Sequence, residues 1–164
     1  MTDVYAAVGG GTSARLTLGD TYPWEEHPVC LLLSYHYYSS YIKEVTAAKP
    51  QRRMLDSGAY SAWTSGIDVD IDALIAETKK PIWDESVALD VIGSAEGSLK
   101  NALYMKEQGS PAFPVFHIGE SWELLTEYCK QFEKVGLSCR FGEPEEESLR
   151  WLNACFAKFY PHRF

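Results

Sequence analysis

The chain has 164 residues, 46% hydrophobic and 23% charged, a composition typical of one globular domain with a single core and unlike that of a disordered chain. Fifteen basic against twenty-three acidic residues leave a net charge of −8, which argues against a surface built to grip a phosphate backbone unaided. The longest apolar run, VCLLLSY, is far shorter than the ~20 residues of a membrane span.

The opening MTDVYAAVGGG has neither the basic region nor the long apolar region of a signal peptide. Four cysteines (Cys30, Cys129, Cys139, Cys155) form no Cys-x-x-Cys pair. They read as buried free thiols, which points to a reducing compartment, most simply the cytoplasm.

Taken in chain order, short apolar, β-branched or aromatic runs predict strands at about 4–8 (VYAAV), 29–35 (VCLLLSY), 52–56 (RRMLD), 86–92 (SVALDVI), 112–118 (AFPVFHI) and 137–142 (LSCRFG). After the second strand, YHYYSSY reads as the start of an amphipathic helix with Tyr41 on its buried side. IDVDIDALIAETKK follows the third, with apolar residues at 71, 74 and 75, an acidic start and a Lys-rich end that suit a helix dipole. SAEGSLKNALYMKEQG follows the fourth, with Gly109 as its C-cap. GESWELLTEYCKQFEKVG follows the fifth, opening on Ser121 and stopping at Gly136. EPEEESLRWLNACFAKFY follows the sixth, with Pro144 at its first turn. The closing FYPHRF looks like the beginning of a further strand.

Strand and helix alternating every ~25–30 residues imply parallel βαβ units in one α/β domain spanning residues 1–164. Length favours an open doubly wound sheet, because a closed eight-stranded barrel usually takes ~250 residues. The strand ends favour a barrel. The second ends in Ser34, Tyr35 and His36, the third in Asp56, Ser57 and Gly58, and the fourth in Asp90. The fifth ends in His117, Gly119 and Glu120, and the sixth in Arg140 and Glu143. In parallel α/β folds these ends converge on the face that carries binding and catalysis. Singly, each has a plain structural use: Asp56-Ser57 as a turn, Asp90 as a loop cap, His117 as a satisfied core histidine. Together they form a ring with paired carboxylates and an imidazole, a set suited to dividing proton transfers or holding a polar ligand edge. Tyr35, Tyr37, Tyr38, Tyr60 and Trp63 lie close enough in sequence to stack on a flat heterocycle.

LDSGAYSAW, VALDVIG and KNALYMKEQGSPAFPVFHIGE resemble the queuine tRNA-ribosyltransferase-like proteins of phages and prophages, relatives of the tRNA-guanine and DNA 7-deazaguanine transglycosylases. The resemblance runs from about Leu31 to Glu143, and LDSGAYS is its most specific part. It implies a (β/α) barrel with about six units visible, which exchanges guanine for a 7-deazaguanine through a ribosyl-enzyme intermediate. It implies Asp56 as the catalytic acid/base, and Asp90 as the carboxylate that recognises the purine edge. Ser57, Gly58, Tyr60, His117, Gly119 and Glu120 would be the other substrate-binding residues. GLSCRFGEP is loosely similar to the segment lining the family's base pocket, with an apparent insertion.

The family's nucleophilic aspartate lies beyond the matched segment and is followed by a Cys-rich zinc site. No Cys-x-Cys-x-x-Cys pattern occurs in this chain, so neither nucleophile nor metal is assigned and no cofactor is expected. The expected partners are a purine or deazapurine base, tRNA or DNA as acceptor, and a second copy of the chain covering open barrel edges. No membrane is expected. Two alternatives stand beside this reading. One is a non-catalytic nucleotide- or protein-binding module with a degenerate pocket. The other is a metal-dependent hydrolase with His36, Asp56, Asp90 and His117 as ligands.

Overall fold

Parallel strands joined by helices make up the fold, in a computed structural model that describes residues 5–8, 29–140 and 142–164. The strands are β1 (Tyr5–Val8), β2 (Cys30–Ser34), β3 (Arg52–Asp56), β4 (Glu85–Ser86), β5 (Val115–His117) and β6 (Gly136–Ser138). Six helices are described: α1 (Tyr38–Ala47), α2 (Ala59–Thr64), α3 (Ile71–Thr78), α4 (Ala95–Glu107), α5 (Trp122–Gln131) and α6 (Glu145–Phe159). Val4 and Phe141, expected in the first and sixth strands, lie outside the described residues.

β1, β2, β3 and β4 form one sheet in that order, and β5 and β6 form a second, all parallel. A single parallel bridge, Val87 to Phe113, joins the two, with the Ala88 N–H donating to Phe113 O at 2.9 Å and the Phe113 N–H to Ser86 O at 3.0 Å. FYPHRF continues the series by one bridge, Lys134 to Arg163. The strands therefore run side by side in chain order, which departs from a doubly wound sheet, where the order reverses at a switch point. Among the described residues no closed barrel is seen, since β6 and β1 are not paired.

Register places Val8, Leu33, Leu55 and Ser86 on one face and Ala7, Leu32, Met54 and Glu85 on the other. Leu33 and Leu55 are fully buried, each contributing roughly 1.5–3 kcal/mol of apolar burial. They share a core with Val45 of α1, Leu74 of α3, Met105 of α4 and Leu125 and Tyr128 of α5, so helices cover this face. Arg53 ties α1 down, donating from Nε to Val45 O (3.2 Å) and from a terminal nitrogen to Ala48 O (2.7 Å), a cation at a helix C-terminus.

The other face curls inward. Glu85 of β4 meets Lys134 at 2.8 Å and Arg52 at 3.3 Å, and it accepts from the Tyr5 hydroxyl of β1 at 3.4 Å. On a flat sheet β1 and β4 would stand about 14 Å apart, beyond the combined reach of those side chains. Asp56 and Ser34 are paired in register and project from this concave face at the strand ends.

The expected strand 86–92 is shorter than its sequence suggests. Beyond Ala88 its backbone turns to α4 for partners. The Leu89 N–H contacts Met105 Sδ (3.3 Å), the Val91 N–H donates to Ser98 Oγ (2.9 Å), and Asn101 donates to Leu89 O (3.2 Å). The helix expected to stop at Gly136 ends at Gln131 with Phe132 extended. Gly136 opens β6 instead, where a Cβ would come within 3.1 Å of Val115. α2 was not expected as a helix. The four cysteines are free, Cys30 and Cys155 buried, and among the described residues no helix is long and apolar enough to cross a membrane.

Candidate functional site

The segment after β4, the end of β5 and the end of β6 enclose a cavity of about 660 Å³, with Asp90, His117, Glu120 and Arg140 in its lining. Adjacent parallel strands deliver these side chains to one end, as strand order dictates. A tight turn follows β5, closed by the Glu120 N–H donating to His117 O (3.1 Å) and the His117 N–H donating to Glu120 Oε2 (2.7 Å). Gly119 completes that turn with φ +94°, a conformation that favours glycine.

The same turn holds the His117 ring between two carboxylates. Nε2 lies 3.7 Å from Asp90 Oδ2, and Nδ1 lies 3.6 Å from Glu120 Oε2. Burial pushes the Asp90 carboxyl up to about 6, against the pull of His117, with the nearby charges of Glu120 and Asp56 adding to the rise. His117 is raised above its usual value chiefly by the Glu120 carboxylate against its Nδ1, with burial opposing and the charge of Asp90 assisting. A carboxyl and an imidazole that both titrate above their ordinary values, side by side in a cleft, form an arrangement able to exchange protons or to present an acceptor beside a donor.

Asp56 stands apart from this cavity, though close enough for its charge to act on Asp90. Its carboxylate accepts the Gly58 N–H at 2.9 Å, an Asx turn that leads into α2. Burial raises its pKa, opposed by the Gly58 N–H and by the neighbouring Ser34 and Ser57. Ser57 is buried. Gly58 has φ +72°, and a Cβ there would lie 2.6 Å from the His36 backbone nitrogen and 2.9 Å from Ser34 Oγ. The Asp-Ser-Gly segment thus locks β3 against the turn after β2.

Of the residues singled out in sequence, Asp90, His117, Gly119, Glu120 and Arg140 line the cavity together. Asp56, Ser57, Gly58 and Tyr60 do not. Tyr60 and Trp63 on α2 are strongly exposed, their rings 6.0 Å apart. Trp63 and Ile67 line a smaller neighbouring depression of about 320 Å³ that also reaches Asp90, so an aromatic wall adjoins the carboxylate. The tyrosines at 35, 37 and 38 pack against the core.

Two residues near the site carried no sequence signal. Ser98, one turn into α4, fixes the loop bearing Asp90 through the Val91 N–H. Tyr128 on α5 is fully buried, and its hydroxyl has no hydrogen-bond partner among the described residues. Burial, then the charges of Asp90 and Glu120, push its pKa upward. Among the described residues no group of three or more His, Cys, Asp or Glu could hold a metal ion, so the set His36, Asp56, Asp90 and His117 does not assemble there as ligands.

No family model, no curated protein and no solved structure matches this chain.

Proposed function

We propose that the cavity binds a guanine or 7-deazaguanine base, as in the transglycosylases that LDSGAYSAW and PVFHIGE resemble. The observation that carries this reading is the Asp90 carboxylate beside the His117 imidazole, 3.7 Å apart in one cavity. Guanine presents two N–H donors next to a carbonyl acceptor. A carboxylate accepts the two N–H groups, and a protonated imidazole donates to the carbonyl. Asp90 takes the first role and His117 the second, with Glu120 favouring the charged form of the imidazole. Trp63 supplies a flat apolar surface beside Asp90. Asp56 is the acid/base of the exchange in this reading, with a transglycosylase-type barrel as its scaffold and tRNA or DNA as the acceptor.

Calorimetric titration of guanine and 7-deazaguanine into wild type and Asp90→Ala tests it. Binding by wild type that is lost in the variant, with adenine not bound by either, is the expected result. A folded wild type that binds neither guanine compound would overturn the proposal.

A second reading, binding without exchange, has its own support. The carboxylates described in the cavity lining, Asp90 and Glu120, both lie against His117, so neither is disengaged to attack a ribosyl carbon. Incubation with labelled guanine and unmodified tRNA or DNA separates the two. Label entering the polynucleotide supports exchange, and binding with no label entering supports a binding module.

A further inference from the structure

We infer that the ligand of this cavity carries a phosphate ester, held by Arg140, so that a nucleotide binds in preference to the free base. The inference rests on the base-binding reading above and adds a second contact to it. Arg140 lies two residues past the end of β6, and its side chain lines the same cavity as Asp90 and His117. Its guanidinium lies against Gly119, where a Cβ would come within 3.1 Å of a terminal nitrogen. The β5 turn is thus shaped to admit the arginine, and the missing side chain at 119 serves both the backbone angle and this approach.

Arg140 is exposed. Among the described residues its side chain has no ion pair and no hydrogen bond, although the chain carries an excess of eight negative charges and Glu120 is next to Gly119 in sequence. Arg140 therefore offers the fork-shaped donor set that matches a phosphate. The acceptors and imidazole of Asp90, His117 and Glu120 occupy the other part of the lining. A cavity of about 660 Å³ holds more than a bicyclic base, and this division of chemistry suits a base at one end and an anion at the other.

Guanine, guanosine and guanosine 5′-monophosphate titrated calorimetrically into wild type, Arg140→Gln and Asp90→Ala test this. Wild type is expected to bind the monophosphate about tenfold or more tighter than guanosine, the size of a charged hydrogen-bonded contact. That advantage should shrink when salt is raised and vanish in Arg140→Gln, while guanosine affinity stays unchanged. Equal binding of guanosine and the monophosphate by wild type would overturn the inference and leave the base reading standing. So would an Arg140→Gln variant that weakens both ligands alike. Tighter binding of the monophosphate that survives Asp90→Ala but not Arg140→Gln would support the phosphate contact and remove the base reading. Failure of all three ligands to bind a folded wild type would overturn both.

Discussion

Asp90 and His117 face each other across the ends of neighbouring parallel segments, Oδ2 3.7 Å from Nε2, and both titrate above their ordinary values. The sign of the effect on stability is unusual for a carboxylate. A raised Asp90 contributes stability that is fully present below its unfolded value of 3.8 and is lost as pH rises through about 6. His117 acts in the same direction, its contribution present below 6.5 and lost as pH rises through its higher folded value. Urea unfolding at pH 4, 5 and 6 should therefore show wild type losing stability relative to Asp90→Asn, by about 2 kcal/mol over that range. A difference that stays flat with pH would show Asp90 to be no more buried than an ordinary surface carboxylate.

His117 provides a separate check on the same cluster. Its rise is caused first by Glu120 and only then by the charge of Asp90. Following the ring protons by NMR, Glu120→Gln should lower the His117 midpoint more than Asp90→Asn does. The reverse order would mean that the imidazole leans on Asp90 and that the short turn after β5 does not set its charge.

The parallel α/β alternation was legible because each βα unit carries a local signal: apolar runs, Ser94 and Ser121 as N-caps, Asp70 ahead of α3. The meeting of Asp90 with His117 and Glu120 was legible for another reason, since all stand at or just past the ends of strands that parallel topology brings together. Strand lengths were less accessible. Residues 89–92 look like a strand because they are mostly apolar, yet Met105, Ser98 and Asn101 of α4 take the hydrogen-bonding groups of Leu89 and Val91, and no local pattern encodes that capture. Curvature was hidden too, since Glu85 meets Tyr5 and Lys134 only after the sheet has curled. Nor could sequence separate Asp56 from the cavity that Asp90 lines, because both follow apolar runs that read alike as strands, although only Asp56 ends one.

Gly58 and Gly66 share one backbone conformation, φ +72° and +66°, in different surroundings. Alanine at Gly66 meets nothing within 4 Å, whereas alanine at Gly58 would press on the His36 backbone and on Ser34 Oγ. Gly66→Ala should cost about 1–2 kcal/mol, the left-handed penalty alone. Gly58→Ala should cost clearly more, about 3 kcal/mol or above, because backbone must move as well. Urea unfolding of the two variants side by side decides this, and equal losses would mean that the β2–β3 junction yields easily.

Trp63 is 60% exposed, so Trp63→Ala should leave stability within about 0.5 kcal/mol of wild type. If it forms a wall beside Asp90, the same substitution should weaken guanine binding by about 1–3 kcal/mol, the usual worth of a base–aromatic stack. Thermal unfolding and calorimetry on one preparation separate the two effects. A variant of normal stability with unchanged affinity would take α2 out of the binding surface.

Tyr128 allows a test of the ground beneath the cavity. Its ring packs against Phe132 with centroids 6.2 Å apart, while its hydroxyl is buried and unpartnered among the described residues. A buried hydroxyl left unpaired costs about 1–3 kcal/mol. Tyr128→Phe keeps the ring and removes that cost, so the variant should be at least as stable as wild type at pH 7. Tyr128→Leu keeps neither the ring's volume nor its edge contact and should lose about 2–4 kcal/mol. A loss above about 1 kcal/mol for Tyr128→Phe would mean that the hydroxyl has a partner in solution. With Asp90 and Glu120 the charges that act on it, that partner would join α5 to the acidic side of the cavity.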